Sequence, residues 1–273
     1  MILNKTKIVE FQRFIFSWWE NNRRDLPWRH TRDPYNIAVS EVMLQQTQVL
    51  RVLPKYAEFI EAWPNVQSLA KASVGTVLRV WKGMGYNRRA LYLHKMAKIV
   101  VETYGGIFPE DEKLLTKLTG LGKYTARAIL VFAFGESVAC VDTNIRQIIT
   151  HFFYKDKEQR PEVIQSVADQ LVPKGKAWEW HQALMDYGAA NGKELRVRNK
   201  ELRKKHIPFQ QSDRFIRGKI IDYLRTRSYK RLDLTKTISD VCQKPVERIR
   251  NIIENLKSEG LVEINKDIIS LPE

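Results

Sequence analysis

Apolar residues recur at intervals of three and four along most of the chain. The spacing is clear in KIVEFQRFIFSWWENN, VLPKYAEFIEAW, SVGTVLRVWKGM, RRALYLHKMAKIVVETY and DEKLLTKL, and each run predicts an amphipathic helix. Glycine and proline separate them, at Pro27, Pro34, Pro64, Gly83, Gly85, Gly105-Gly106 and Pro109. No alternating strand pattern precedes residue 260, so the larger part of the chain is expected to be all-α. The stretch SEVMLQQTQV, Ser40 to Val49, also reads as helix. It sets one acid, Glu41, beside Ile37, Ala38 and Leu44 at i−4, i−3 and i+3.

The pattern changes past residue 191. NGKELRVRNKELRKKHIPF carries seven Lys or Arg against two Glu between Lys193 and Lys205, and reads as a basic connector. Three helical runs follow. SDRFIRGKIIDYLRTR opens on a serine cap, DLTKTISDVC comes next, and KPVERIRNIIENLKSEG starts near Pro245 and stops at Gly260. LVEINKDIISL then alternates on either side of Asn265-Lys266-Asp267, a hairpin signature. Three helices and a hairpin are the order of a winged helix-turn-helix, or of a small dimerisation or docking module.

Charge narrows the partner. The 273 residues carry a formal net charge of +15, with seven Trp, ten Tyr and eleven Phe as stacking surface, a combination that points to nucleic acid. No apolar run is long enough to span a membrane, and the N-terminus shows no secretion signal, so a cytoplasmic, nucleoid-associated protein is expected. Cys140 and Cys242 are the only cysteines, which gives no disulfide framework, zinc site or iron–sulfur site. Most of the tryptophans lie on helical stripes and read as core; Trp28 and Tyr86, beside proline and glycine turns, are better placed for a cleft.

Two segments carry chemistry. LTGLGKYTARAIL, Leu118 to Leu130, ends one helix, turns through Gly120-Leu121-Gly122 and starts another. Such a turn can present backbone N–H groups to a phosphate without reading sequence, although an ordinary helical hairpin would look the same. CVDTNIRQII places Asp142 just before a helical run, as an N-cap or as a carboxylate held ionised by the helix N-terminus. Glu41 is either a paired structural charge or an acid kept protonated by apolar surroundings. Together the two would supply the acid and the anion that glycosidic bond cleavage requires.

At this point a resemblance covers residues 18–190. LPWR (26–29), DPYNIAVSEVMLQQTQV (33–49), WKGMGYNRRA (81–90), LTGLGKYTARAIL (118–130), VDTNIRQ (141–147) and LMDYGAA (184–190) resemble, in order and spacing, the helix-hairpin-helix DNA glycosylases, most closely the adenine DNA glycosylases of MutY type. The resemblance implies a two-domain helix-hairpin-helix glycosylase fold over 1–206. A helical barrel at 30–135 would hold the hairpin at 118–126, and 1–29 plus 136–206 would form the second subdomain, with the winged helix-turn-helix at 207–273. It implies Glu41 as the acid that protonates adenine and Asp142 as the anion that stabilises the sugar cation. Arg24, Trp28, Arg29, Leu44, Tyr124, Asn144 and Asp186 would line or buttress the base pocket. Gln46, Thr47, Met84 and Tyr86 would wedge into the duplex and contact the opposite base. Arg88, Gly120, Gly122, Lys123 and Thr125 complete the expected DNA-binding set. The expected partner is double-stranded DNA with a mismatched or damaged pair, bound by a monomer.

Three departures shape the expectation. The related endonuclease III type has a lysine nucleophile where this chain has Tyr124. A phenol cannot form a Schiff base, so a monofunctional enzyme that leaves an abasic site is expected. Lys123, one residue earlier, reads as a phosphate contact or a solvated charge. Most members carry four cysteines spaced Cys-x6-Cys-x2-Cys-x5-Cys after the segment matching LMDYGAA; here the basic connector stands there, so no iron–sulfur cluster is expected. A monovalent cation on the hairpin backbone is implied by the resemblance alone. Where adenine glycosylases commonly end in a nudix-like domain, this chain has the winged helix, with Arg248 and Arg250 on its third helix as DNA contacts or as a solvated face. The opposite base, guanine or 8-oxoguanine, is therefore open. G·T and G·U mismatch thymine/uracil glycosylases share PWRHTRDPY and GKYT closely, and a non-catalytic winged-helix DNA-binding protein is the remaining alternative.

Overall fold

A computed structural model describes residues 2–192, 194–195 and 208–273. The basic connector expected at 193–207 lies almost wholly outside the described residues. The elements run α1 (Lys5–Glu20), α2 (Pro34–Leu44), α3 (Val49–Ala62), α4 (Val66–Lys71), α5 (Val74–Val80), α6 (Arg88–Tyr104), α7 (Glu112–Leu115), α8 (Lys123–Phe132), α9 (Thr143–Tyr154), α10 (Pro161–Leu171) and α11 (Ala177–Asn191). The C-terminal part adds α12 (Asp213–Leu224), β1 (Tyr229–Lys230), α13 (Arg231–Cys242), α14 (Val246–Glu259), β2 (Glu263–Asn265) and β3 (Ile268–Ser270). Among the described residues helix dominates and the sheet is confined to the C-terminal part, as the hydrophobic periods require.

Contacts gather the chain into two units. The first holds the chain up to Glu41, Pro109–Lys117, and the described residues from Leu121 to Leu195. Its core is built by α1, α9, α10 and α11. Phe11, Ile15 and Trp19 repeat every four residues on one face of α1 and bury against Ile145, Ile148 and Ile149 of α9, Ile164 of α10, and Trp180 and Leu184 of α11. The second holds Val42–Phe108, Leu118–Gly120 and the C-terminal part. This grouping follows packing rather than continuous segments, and it cuts α2 just after Glu41.

Helix α2 differs from its neighbours. Tyr35 and every residue from Ile37 to Met43 are buried, so the helix has no solvated face. A helix apolar on all sides belongs in a core, and Ser40 and Glu41 are carried in with it. The expectation that SEVMLQQTQV is a single helix is corrected here: α2 stops at Leu44, and Gln46 takes a left-handed conformation at φ 53°. The cause is distant in sequence. The buried guanidinium of Arg89 donates to the carbonyls of Val42 (3.0 Å), Met43 (2.9 Å) and Gln45 (2.6 Å), taking the orphan acceptors of the helix end. It also donates to Thr47 Oγ1 and to the carbonyls of Met84 and Gly85, tying the turn after α2 to the Gly83–Gly85 loop. A guanidinium suits this place because its rigid fork serves several acceptors at once.

The C-terminal part is a winged helix-turn-helix. Ser212 caps α12 by accepting from the Phe215 N–H, and Gly260 stops α14 at φ 81°. The expected hairpin pairs Glu263 with Ser270 and Ile264 with Ile269 across a turn at Lys266-Asp267. One strand was not expected: β1 pairs Tyr229 with Ile269, giving the antiparallel order β1-β3-β2. Two residues are too short to alternate, so nothing in the pattern marked them. The domain also packs into its own unit, since the Gly75 N–H donates to the Pro272 carbonyl at 2.6 Å and a side chain at Gly75 would collide with it.

If Arg89 ends α2, Arg89→Met should lower stability by about 3 kcal/mol, because several buried carbonyls lose a charged donor. Urea unfolding of the whole chain measures this, and an unchanged midpoint would show that the turn at Gln46 is held by something else.

Candidate active site

Glu41 comes from the buried helix, and its partners come from the segments that follow the hairpin. Tyr124 stands in the first turn of α8 and its phenol donates to the Glu41 carboxyl. Asp142 is the N-cap of α9 and accepts from the Ile145 N–H at 2.7 Å. Cys140 is fully buried beside them, its thiol pushed well up by burial and by the two acids.

The electrostatics follow from burial. Loss of solvent raises the Glu41 carboxyl from 4.5 to about 7; the Tyr124 hydrogen bond opposes this, and the Asp142 charge adds to it. Asp142 departs from expectation. Burial raises its carboxyl also, and the N–H groups of Ile145, Asn144 and Asp142 itself only partly offset that. The helix end thus stabilises the carboxylate but does not cancel the cost of its surroundings. Tyr124 is raised well above the usual phenol range, first by burial and then by the two acids, so it stays a neutral phenol able to donate to Glu41.

His181, which the sequence did not single out, fixes the approach to Asp142. Its Nδ1–H donates to the Ala177 carbonyl at 2.6 Å, which leaves Nε2 to accept the Cys140 N–H at 3.1 Å. That arrangement needs a neutral ring, and burial lowers the imidazole to about 4. The only hint in the sequence is a histidine amid apolar residues of α11. Gly188 completes the support. A Cβ there would lie 2.6 Å from the Asn144 Cβ, so α11 and the first turn of α9 approach as closely as they do only because the residue is glycine.

Arg24, Arg29 and Asp186, expected at the base pocket, form a second cluster in the same unit. Asp186 accepts from Arg24 Nε (2.5 Å), Arg29 Nη1 (2.9 Å) and Nη2 (2.7 Å), Trp19 Nε1 (2.8 Å) and the Arg24 N–H (3.2 Å). Burial opposes ionisation, but the donors from Arg29, Arg24 and Trp19 outweigh it and hold the carboxyl below its usual range. Trp28 is buried alongside Arg29, within a short 3-10 turn at Pro27–Arg29. Trp19, read from sequence as core alone, is core that also donates a hydrogen bond.

The expected DNA-contacting residues divide between the units. In the first, Lys123 is exposed and Thr125 buried at the start of α8, whose N-cap, Gly122, offers no side chain. A Cβ on Gly122 would meet nothing within 4 Å. In the second, Gly120 has φ 86° and lies against the Tyr92 side chain. Thr47 is half-buried and Gln46 exposed, while Leu44, expected in the base pocket, is half-buried in this second unit, grouped apart from the other pocket residues. Arg88 is exposed and paired with Glu259 at 2.5 Å. Met84, expected to wedge into DNA, is 2% exposed and belongs to the core, so the loop presents Tyr86 instead.

Glu41 binds its proton more tightly when folded, so it contributes stability below pH 4.5 that is lost as pH rises through about 7. Glu41→Gln removes that dependence and should be roughly 3 kcal/mol more stable than the parent at pH 8, with little difference near pH 4. Thermal or urea unfolding at both pH values measures it; equal stability at pH 8 would mean the carboxyl is not raised.

With this geometry in view, the comparisons place the chain. Residues 39–174 match the family model described as HhH-GPD superfamily base excision DNA repair protein. An adenine DNA glycosylase from Mycolicibacterium smegmatis is 35% identical over 93% of this chain and 92% of its own length. A thymine/uracil-DNA glycosylase from Methanothermobacter thermautotrophicus is 35% identical over 68% of this chain and 86% of its own. Some relatives are longer: the chain spans 52% of an adenine DNA glycosylase from Buchnera aphidicola. Among solved structures, a thermostable thymine-DNA glycosylase matches with a TM-score of 0.64 and 34% identity, over 67% of this chain and 87% of that one. The chain therefore belongs to the HhH-GPD superfamily of base excision DNA repair proteins and groups with its DNA glycosylases.

Proposed function

We propose that the chain is a monofunctional adenine DNA glycosylase, which removes adenine mispaired with guanine or 8-oxoguanine and leaves an abasic site. The observation that carries this reading is Glu41: a buried carboxyl, hydrogen-bonded by Tyr124, raised to about 7, and next to the N-cap acid Asp142. Adenine offers basic ring nitrogens that can take a proton; thymine and uracil do not. A general acid poised near neutrality is therefore chemistry for a purine leaving group.

A base inside a duplex is out of reach, so the adenine is flipped into the pocket. Glu41 transfers its proton to a ring nitrogen of the base, and the electrons of the glycosidic bond pass to the departing adenine. The sugar is left as an oxocarbenium ion, for which Asp142 supplies a nearby negative charge. Water adds at the anomeric carbon and gives up a proton to the Glu41 carboxylate, giving the abasic site and restoring the acid. The phosphate backbone has a suitable partner in the uncapped N–H groups at the start of α8, beside the open space at Gly122.

Strand cleavage would need an amine at the site. Tyr124 occupies the position next to Glu41, and Lys123 is exposed, so the chemistry stops at base release. An iron–sulfur cluster does not fit. The chain has two cysteines; Cys140 is buried at the acid pair and Cys242 at the end of α13, in different units.

Base release from duplexes with A·G, A·8-oxoguanine, T·G and U·G pairs tests the reading. Adenine should be released, with the rate falling above about pH 7 as Glu41 ionises, and Glu41→Gln should cost about 10²–10⁴ in rate. Asp142→Asn should lower the rate further than its effect on DNA binding. Borohydride should trap no adduct at Lys123. Thymine or uracil release alone would favour the mismatch thymine/uracil reading, and full activity in both variants would sink the catalytic assignment.

A further inference from the structure

A winged helix ordinarily meets DNA with its third helix, yet here the arginines of α14 are occupied. Arg248 donates to Asp213 at 2.9 and 2.6 Å, and Arg250 lies 3.5 Å from Glu247. The carboxylate of Glu259, at the end of α14, is taken by Arg88 and Arg217. Helix α12 is placed otherwise. It forms one wall of a groove of about 910 Å³, whose other walls are the Gln45–Thr47 turn, the Gly83–Arg89 loop and Gly120, closed at one end by Leu256 and Glu259 from the last turn of α14. Among the described residues, seven Arg or Lys side chains line this groove against two acids, Asp222 and Glu259. Both acids serve internal pairs, Asp222 with Arg225 and Glu259 with Arg88 and Arg217. Arg51, Arg214 and Lys219 have no carboxylate partner among the described residues.

The domain is also fixed in place. The Arg225 side chain, 7% exposed, donates to the Leu78 carbonyl at 2.8 Å and to Asn87 Oδ1 at 3.1 Å. Tyr86 lines the groove, a 39% exposed aromatic held at φ 46°, where a bulky residue is strained. Two guanidiniums lie near its ring, Arg89 at 5.4 Å and Arg214 at 4.9 Å from the centroid, and its hydroxyl accepts from Arg214. Arg214 also lies 4.7 Å from the Phe209 ring. Aromatic rings and guanidinium planes thus alternate along the wall, a surface on which unpaired or distorted bases stack.

We propose that α12, rather than α14, is the DNA-contacting helix of the C-terminal domain, and that Arg214 is a specificity-determining residue for the purine opposite the excised base. It positions Tyr86, and its planar fork can donate to the adjacent O6 and N7 of guanine, or to O6 of 8-oxoguanine, whose N7 carries hydrogen; a pyrimidine has no such second ring beside its carbonyl. The occupant of the groove is the strand that carries this opposite base. The proposal rests on the glycosylase reading for its biological sense, but its test does not need base release.

The test is binding of the full chain, at fixed salt, to duplexes that hold a stable abasic analogue opposite guanine, 8-oxoguanine, cytosine or thymine. The wild-type protein should bind the purine-opposed duplexes more tightly. Arg214→Met, which keeps the stem and removes the charge, should reduce that preference roughly fivefold or more. Arg248→Met, at an exposed ion pair on α14, should leave it unchanged, and an unchanged unfolding midpoint for both variants shows that the fold survives. The proposal is overturned if the wild type does not distinguish the opposite bases, if Arg214→Met discriminates as well as the parent, or if Arg248→Met loses as much. Binding with these preferences but without any base release would sink the glycosylase reading and leave this one standing.

Discussion

The desolvation of one carboxyl governs how this protein is built. Glu41 sits on a helix with no solvated side, and removing it from water raises it from 4.5 to about 7. In the ionised form such a group is a liability, since nothing cationic lies close enough to be among the forces that set its pKa. The surrounding structure holds it there nonetheless. Tyr124 supplies a single donor, Asp142 supplies a negative charge that pushes the same way as burial, and His181 with Gly188 fixes the segment from which Asp142 projects. A site that sacrifices stability at neutral and alkaline pH to keep a proton on one carboxyl is more readily explained by chemistry than by folding.

Asp186 makes the contrast. It is as buried as Glu41, but two guanidiniums and an indole N–H converge on it and its carboxyl moves the other way. Two acids in one unit are thus set to opposite states by their donors. One is an acid able to give up a proton near neutrality; the other is a permanent anion that ties α1, the Pro27–Arg29 turn and α11 together.

Much of this was legible in the sequence, where local rules apply. The serine cap of α12, the glycine stop of α14, the Asp142 cap and the glycine-φ turn at Gly120 are each set by a residue within a few positions of the feature it controls. What escaped depends on distance along the chain. Helix α2 ends at Leu44 because of Arg89, more than forty residues on, and no local breaker marks the place. Met84 reads as a loop residue beside two glycines, yet packs inward. The net shift of Asp142 follows from the burial around it, which a capping rule does not include. Helix α12 faces the groove because of Arg225, Glu259 and Gly75, residues that carry no motif. The resemblance read from the sequence stops at residue 190, so the placement of the winged helix had to be read from its contacts.

Glu41 keeps its proton through the range where an ordinary glutamate is already ionised, and gives it up near neutrality. Infrared spectroscopy observes this directly, since a protonated carboxyl and a carboxylate absorb at different frequencies, and the Glu41→Gln difference spectrum isolates the group. A protonated-carboxyl band assigned to Glu41 should persist at pH 6 and titrate away with a midpoint near 7. A band already lost by pH 6, with a midpoint near that of an ordinary glutamate, would contradict it.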